Sequence, residues 1–316
     1  MFPKIAVLFT SYRCNSKCIM CSAWEKQQTY PELSIQQIAD IFSDRILRNN
    51  LEIVNLTGGE PTLREDLVDI IKVLIHSCSR LRRIDIPTNG INTEQVIDNI
   101  ERIAAFLLTS NVKLNITVSV DGVGGVHETI RGVSDIFDNI DRTIRELKEI
   151  SELYPFLSLE INTTISRANI TGLKDMRAYA RSLGVGINFT LAAISEIGVE
   201  SIVKKEKFEI SNKEKTHLVS FFESLMQEKA VSHTYGKFVV NWLTTGKRRA
   251  LCNFRRGKVF LLEPDGQVYL CGNFKDFRIG NVLDEPFEKI WRKSTPVLKR
   301  LSHRCSTCVS NCYLDL

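Results

Sequence analysis

The sequence predicts an α/β fold whose first 190 or so residues build a parallel sheet with helical crossovers, followed by a smaller unit of different character. Three observations carry that expectation. Short β-rich runs alternate with amphipathic helical stretches from residue 4 to residue 191, residues of chemical character gather where those runs end, and the alternation stops near residue 192. The runs are Lys4–Ser11, Leu51–Thr57, Arg83–Asn89, Lys113–Asp121, Leu157–Ile165 and Gly186–Leu191, with helical patterns near 35–49, 65–79, 93–109, 134–152 and 171–183 between them. Six such strands with helices outside form an open sheet or an incomplete barrel. In both arrangements ligands bind at the C-terminal strand edges, where the connecting loops gather.

Those edges are occupied in order. A cysteine triplet follows the first run, Gly58-Gly59-Glu60-Pro61 the second and Thr88-Asn89-Gly90 the third; Ser119 and Asp121 end the fourth, and Asn162 and Thr163 lie late in the fifth. Beyond residue 192 come a charged helical stretch (211–230), a second helical segment (234–246), and a hairpin over Val259–Leu270 turning at Pro264-Asp265-Gly266. Cys252 precedes the hairpin, Cys271 stands at its exit, and a helix near 286–300 leads to three last cysteines. The expected organisation is 1–192, a helical linker over 193–250, and a cysteine-bearing unit over 251–316.

Composition excludes several classes. With 316 residues, 43% apolar and 25% charged, the chain is not globally disordered. No run of about 18 apolar residues lacks a charge, so no membrane-spanning helix is expected. The opening MFPKIAVLFTSYRC is too short and too quickly polar for a secretory signal, which predicts a cytoplasmic protein. The net charge of +5 is unevenly placed: residues 1–192 carry 21 basic and 23 acidic side chains, the remainder 21 and 14, as for two units with different partners.

Nine cysteines, an odd number, argue against a disulfide framework in a reducing compartment. Cys78 stands alone in a helical pattern and reads as a small buried hydrophobe; His76 and His127 read as surface or packing residues. Cys14-x3-Cys18-x2-Cys21 places three thiolates within eight residues with no evident fourth ligand nearby. Structural zinc wants four closed ligands. A cubane [4Fe–4S] cluster held by three cysteines instead keeps one iron open to an exogenous chelating ligand.

This triplet after the first strand, with Gly-Gly-Glu-Pro after the second, resembles the radical S-adenosylmethionine (radical SAM) enzymes over about residues 4–192. The resemblance implies a partial (β/α)6 barrel of the TIM type. It implies that Cys14, Cys18 and Cys21 ligate a [4Fe–4S] cluster whose open iron is chelated by the amine and carboxylate of S-adenosylmethionine (SAM). One electron from that cluster then yields a 5′-deoxyadenosyl radical that removes a substrate hydrogen. Gly58, Gly59 and Glu60 match the segment that receives the methionyl amine: glycines let backbone approach the ligand, and a carboxylate pairs with an ammonium. Ser119 and Arg131 match SAM contacts of the auxiliary-cluster branch, a guanidinium being apt for the methionyl carboxylate. Leu191 matches a backbone contact near adenine, and Met20 stands where the family often has an aromatic.

Cys252-x13-Gly266-x4-Cys271 followed by Cys305-x2-Cys308-x3-Cys312 resembles the SPASM extension of these enzymes, in its shortened "twitch" form. That implies a small C-terminal iron–sulfur domain with one auxiliary [4Fe–4S] cluster held by Cys252, Cys271, Cys305 and Cys308. Cys312 is then an alternate ligand or a free thiol, able to donate a hydrogen atom as in radical epimerases. Four cysteines do not by themselves choose iron over zinc. Residues 247–304 hold 14 Lys/Arg against 6 Asp/Glu. That excess fits docking of an acidic electron donor such as flavodoxin or ferredoxin, compensation of an anionic cluster, or a solvated basic face. Nucleic-acid binding is disfavoured, because aromatic interleaving is thin.

The expected function is hydrogen abstraction followed by oxidation, cross-linking or epimerisation of the substrate carbon. The SPASM resemblance leans to a peptide substrate of the natural-product maturase type. Residue 4 already begins the first strand and leaves no N-terminal peptide-recognition domain, so a sugar, aminocyclitol or other small metabolite is the competing substrate. Residues 193–250 are the expected place for substrate contacts. A non-catalytic iron–sulfur carrier is the reading from another class, and an open-cornered cluster with a SAM pocket has no use there.

Overall fold

β1 (Ile5–Ser11) is apolar on both faces and can be satisfied only inside a sheet. It pairs in parallel with β2 (Ile53–Gly58) on one side and with β7 (Val259–Leu262) on the other. The computed structural model describes residues 2–21, 23–26, 30–192, 210–249 and 252–308. Among these, β3 (Arg83–Thr88), β4 (Lys113–Ser119), β5 (Leu157–Ile165) and β6 (Gly186–Leu191) extend the parallel array. On the other flank β8 (Gln267–Tyr269) and β9 (Arg278–Asn281) are antiparallel additions to β7, giving one sheet in the order β6-β5-β4-β3-β2-β1-β7-β8-β9. This is the partial TIM-type barrel expected from the sequence, and the C-terminal hairpin continues its sheet.

The helices are α1 (Ala23–Lys26), α2 (Ile35–Phe42), α3 (Arg45–Asn50), α4 (Leu67–Ser77), α5 (Thr93–Leu107), α6 (Gly125–Arg131), α7 (Phe137–Leu153), α8 (Leu173–Leu183), α9 (Asn212–Gln227), α10 (His233–Thr245), α11 (Phe287–Arg292) and α12 (Ser294–Arg304). The single helix expected near 35–49 is two, because the Asp44 carboxylate caps α3 by accepting from Ile46 N–H at 2.9 Å. The stretch near 286–300 likewise divides into α11 and α12. Short α1, α6 and β9 escaped the periodicity reading: the helices have seven residues or fewer, under two helical turns, and the strand has only four.

Strand alternation sorts the side chains. In β4, Leu114, Ile116 and Val118 are buried toward the helices, while Asn115, Thr117 and Ser119 take the concave face. Cross-strand bonds confirm a polar concave wall over β4–β6: Ser158 Oγ donates to Asn115 Oδ1 at 2.7 Å, and Asn188 Nδ2 to Glu160 Oε2 at 2.7 Å. The concave face of β1 and β7 is apolar, with Val7, Val259 and Leu261 in one cluster. Cys78 is buried in the main core, as expected of a small hydrophobe. α9 and α10 pack on the outside of β6 and α8, through Phe221 against Phe189 and Glu228 against Arg177. Of the segment expected to contact substrate, these two helices lie outside the sheet, Arg248 reaches a cavity described below, and residues 193–209 lie outside the described residues.

A buried knot ties the first strand to the C-terminal hairpin. Glu263, 3% exposed, accepts from Tyr12 Oη at 2.8 Å and from Tyr30 Oη at 3.1 Å. The two rings meet edge to face, and Lys26 Nζ stands 5.3 Å from the Tyr12 ring centre. Burial holds the Glu263 carboxyl above its usual range, and the tyrosine hydroxyls offset part of that. Tyr12→Phe is expected to lower unfolding free energy by about 1–3 kcal/mol, since a buried acceptor loses its donor. An unchanged denaturation midpoint would show that the knot contributes nothing.

Candidate active site: two cysteine-lined cavities

The loop carrying the first cysteines is shaped by backbone against backbone. Gly59 N–H donates to Ser11 O at 2.7 Å and Glu60 N–H to Arg13 O at 2.8 Å. A Cβ on Gly58 would stand 2.1 Å from Ser11 O, and one on Gly59 2.1 Å from Arg13 O. The glycines are therefore needed for contact with the β1 exit, a different reason from the approach to a ligand expected from the sequence. At the other end of the loop, Lys17 N–H donates to Arg131 O and Ile19 N–H to Ile130 O, both at 2.9 Å. Gly132 makes that docking possible, since a Cβ there would meet Lys17 O at 2.4 Å. From the end of β3, Asn89 Nδ2 donates to Asn15 Oδ1 at 2.6 Å and lies 4.0 Å from Cys14 Sγ.

The result is a cavity of about 200 Å³ onto which Cys14, Cys18 and Cys21 open, together with Gly58, Gly59, Glu60, Ser119 and Arg131. Leu191, expected to make a backbone contact, is not among the residues lining it; its side chain is buried in the helix-side core at the end of β6. Glu60 is buried, and its carboxylate accepts from Asn89 N–H at 2.6 Å, Thr62 Oγ1 at 2.7 Å and Thr62 N–H at 3.2 Å. Burial raises its pKa against those donors.

Arg131 is almost fully buried, with Nη2 2.8 Å from Asp121 Oδ2 and Nη1 3.7 Å from Cys18 Sγ. Burial works against its charge, but Asp121 and Cys18 more than offset that and raise its pKa. Its Nε has no hydrogen-bond partner among the described residues. His127, expected at the surface or in packing, is fully buried and has a specific role. Its Nδ1 accepts from Asp121 N–H at 3.0 Å, and burial followed by the Arg131 charge pushes its pKa down to about 3, so the ring is neutral.

A second cavity, of about 270 Å³, is lined by Cys252, Cys271, Cys305 and Cys308 and by the apolar Val7 and Phe9. Thr57 and Pro87 line both cavities, so the two share a wall. Arg248 and Arg255 also face the second cavity, and Arg248 Nη1 donates to Cys308 O at 3.4 Å. Of the three readings of the basic excess, charge compensation at these thiols is the one this placement supports. Cys312 lies outside the described residues.

Both thiol sets fit clusters. Burial pushes Cys14 up to about 12, Cys21 to about 11 and Cys271 to about 12, so these thiols keep their protons near neutral pH and a bound metal would have to displace them. Among the described residues no group of three or more His, Cys, Asp or Glu is disposed to hold a single metal ion. The thiols surround cavities instead, as ligands to separate irons of one cluster must. The Arg131 guanidinium, which lines the cavity beside the open triplet, fits a carboxylate ligand.

The model described as the Radical SAM superfamily matches residues 8–209, and the SPASM model, an iron–sulfur cluster-binding domain, matches 252–313. The chain is 25% identical over 295 residues to mycofactocin maturase MftC of Mycolicibacterium smegmatis, covering 90% of this chain and 69% of that protein. It is 27% identical over 303 residues to the AdoMet-dependent heme synthase of Oleidesulfovibrio alaskensis, covering 89% and 72%. Among solved structures, native anSMEcpe with bound AdoMet and a peptide aligns with a TM-score of 0.65 at 20% identity, over 94% of this chain and 83% of that one. Streptococcus suis SuiB bound to S-adenosylmethionine aligns with a TM-score of 0.65 at 13% identity, over 95% and 68%. These structural likenesses show the fold.

Gly59→Ala is expected to cost about 1–3 kcal/mol or more, because its methyl has no room against Arg13 O. It should also reduce iron bound per chain by displacing the triplet. Wild-type iron and sulfide content in that variant would show that the loop position is not needed.

Proposed function

The chain belongs to the radical SAM superfamily, and from that premise we propose that it is a maturase acting on a peptide. Its cofactors are SAM, a [4Fe–4S] cluster and an auxiliary cluster of the SPASM domain. In our reading Cys14, Cys18 and Cys21 hold the first cluster, with one iron left for SAM, while Cys252, Cys271, Cys305 and Cys308 hold the auxiliary one. When bound, SAM and the reduced first cluster supply a 5′-deoxyadenosyl radical that takes one hydrogen atom from the substrate, and the auxiliary cluster supplies an electron acceptor for net oxidation.

The chain's own residues orient and shield. Arg131, fixed by Asp121, offers its guanidinium to the methionyl carboxylate, and Ser119 offers a hydroxyl at the same cavity. Gly58, Gly59 and Glu60 form the wall that receives the methionyl amine. The observation that carries the reading is the pair of thiol-lined cavities sharing Thr57 and Pro87, which gives a substrate between them access to both. The concave wall of Asn115, Asn162 and Thr190 supplies amides and hydroxyls suited to peptide groups. A peptide substrate is supported by the likeness to a mycofactocin maturase and to anSMEcpe, which has been solved with a peptide bound. The same wall would serve a sugar or aminocyclitol, the second reading. An acidic reducing partner such as flavodoxin or ferredoxin completes the proposal, as does a cytoplasmic location.

Reduced protein incubated with SAM should release 5′-deoxyadenosine, and a Cys14/Cys18/Cys21→Ala variant should release none. Complete absence of 5′-deoxyadenosine from the wild type would sink the reading. Cys252→Ala with Cys271→Ala should still cleave SAM yet leave a peptide substrate unoxidised, read as an unchanged peptide mass. For Cys312 as hydrogen donor, Cys312→Ala should alter the product at constant iron; unchanged product and iron would remove that role.

A further inference from the structure

We propose that Arg131 raises the electron affinity of the cluster at the Cys14/Cys18/Cys21 triplet through its contact with Cys18, and that Asp121 sets how much of the guanidinium charge that cluster feels. The inference rests on assigning the triplet to the first cluster, and it concerns the cluster before SAM arrives. Arg131 Nη1 donates toward Cys18 Sγ at 3.7 Å, while Nη2 is held 2.8 Å from Asp121 Oδ2. Arg131 is 9% exposed and Asp121 0%, so neither charge is screened by bulk water.

The assembly is held from several sides. Asp121 Oδ1 accepts from Thr164 N–H at 2.7 Å, its N–H donates to neutral His127 at 3.0 Å, and its carbonyl accepts from Asn169 Nδ2 at 2.8 Å. Arg131 is itself docked on the cysteine loop, its carbonyl accepting from Lys17 N–H at 2.9 Å. The potential of an iron–sulfur cluster follows its net charge and the hydrogen bonds to its sulfurs. Reduction adds one negative charge to the cluster. A cation donating to a ligand sulfur therefore favours the reduced form and raises the potential, and a carboxylate behind that cation moderates the effect. A SAM-carboxylate contact alone would act only when SAM is bound.

The test is a redox titration of the reconstituted holoenzyme without SAM, following the paramagnetic signal that shifts when SAM is added afterwards. Arg131→Gln is expected to move its midpoint to lower potential, because both the cation and the N–H···S contact are lost. Asp121→Asn is expected to move it higher, because the guanidinium is no longer balanced. A purely structural role shifts both variants in the same direction, and a role confined to SAM binding leaves both at the wild-type value; either result overturns the proposal. Should Arg131→Gln fail to take up the cluster, Asp121→Asn decides: a midpoint at or below wild type overturns the proposal. Arg131→Lys, which keeps the charge, should then fall close to wild type. Persistence of the SAM-sensitive signal in Cys18→Ala would instead overturn the assignment of the triplet, a separate failure.

Discussion

The backbone from Ser11 to Lys17 lies against Gly58, Gly59 and Gly132 so closely that no side chain fits at any of them. That contact converts a β-strand exit, normally free to vary, into a loop with fixed ends. Cys14 sits between those ends and Cys18 directly after the second, flanked by the Lys17 and Ile19 bonds to α6, so their placement is inherited from strands and a helix rather than from the loop. A cluster site needs this, because three thiols must meet one object within a fraction of an ångström. The glycines thus serve the metal site by serving the backbone first.

The same economy appears on the concave face of the sheet. A closed TIM barrel fills its interior with branched aliphatics. Here β4–β6 present Asn, Thr, Ser and Glu inward, whereas β1 and β7 present Val and Leu. The polar half is able to solvate a substrate; the apolar half seats the second thiol set against Val7 and Phe9. The C-terminal hairpin joins this sheet through the parallel pairing of β7 with β1, reinforced by Tyr12, Tyr30 and Glu263. One sheet therefore carries both cysteine groups, and their separation is set by strand spacing.

Much of this was legible in the sequence. Six strand runs and the residues at their ends followed from period-two patterning and turn chemistry, both local signals. The thiol sets were legible because Cys is rare and its spacing short. What escaped was whatever depends on distant pairing. Tyr12 meets Glu263 across 251 positions, and no local pattern announces that. His127 was assigned to surface or packing because a lone histidine carries no signal, yet its neutral ring fixes the Asp121 backbone. The glycines were read as places of close approach to a ligand; their approach to the backbone of Ser11 and Arg13 was not legible, since a missing Cβ records contact without saying with what.

Charge placement follows the same logic of thiolates in a poor solvent. Four thiolates on a cubane leave a net negative object, and burying it requires cations nearby. The second cavity meets that need with Arg248 and Arg255, which accounts for part of the basic excess of the C-terminal stretch. The first cavity has three thiols rather than four and, in the proposed reading, would receive a zwitterionic ligand. Two unbalanced guanidinia there would hold a stray anion at the open corner. One arginine backed by one buried carboxylate is a pair without net charge that still places an N–H group against Cys18. The two cavities thus differ in their cations in the same sense as in their thiols: two arginines line the one with four, and one arginine the one with three.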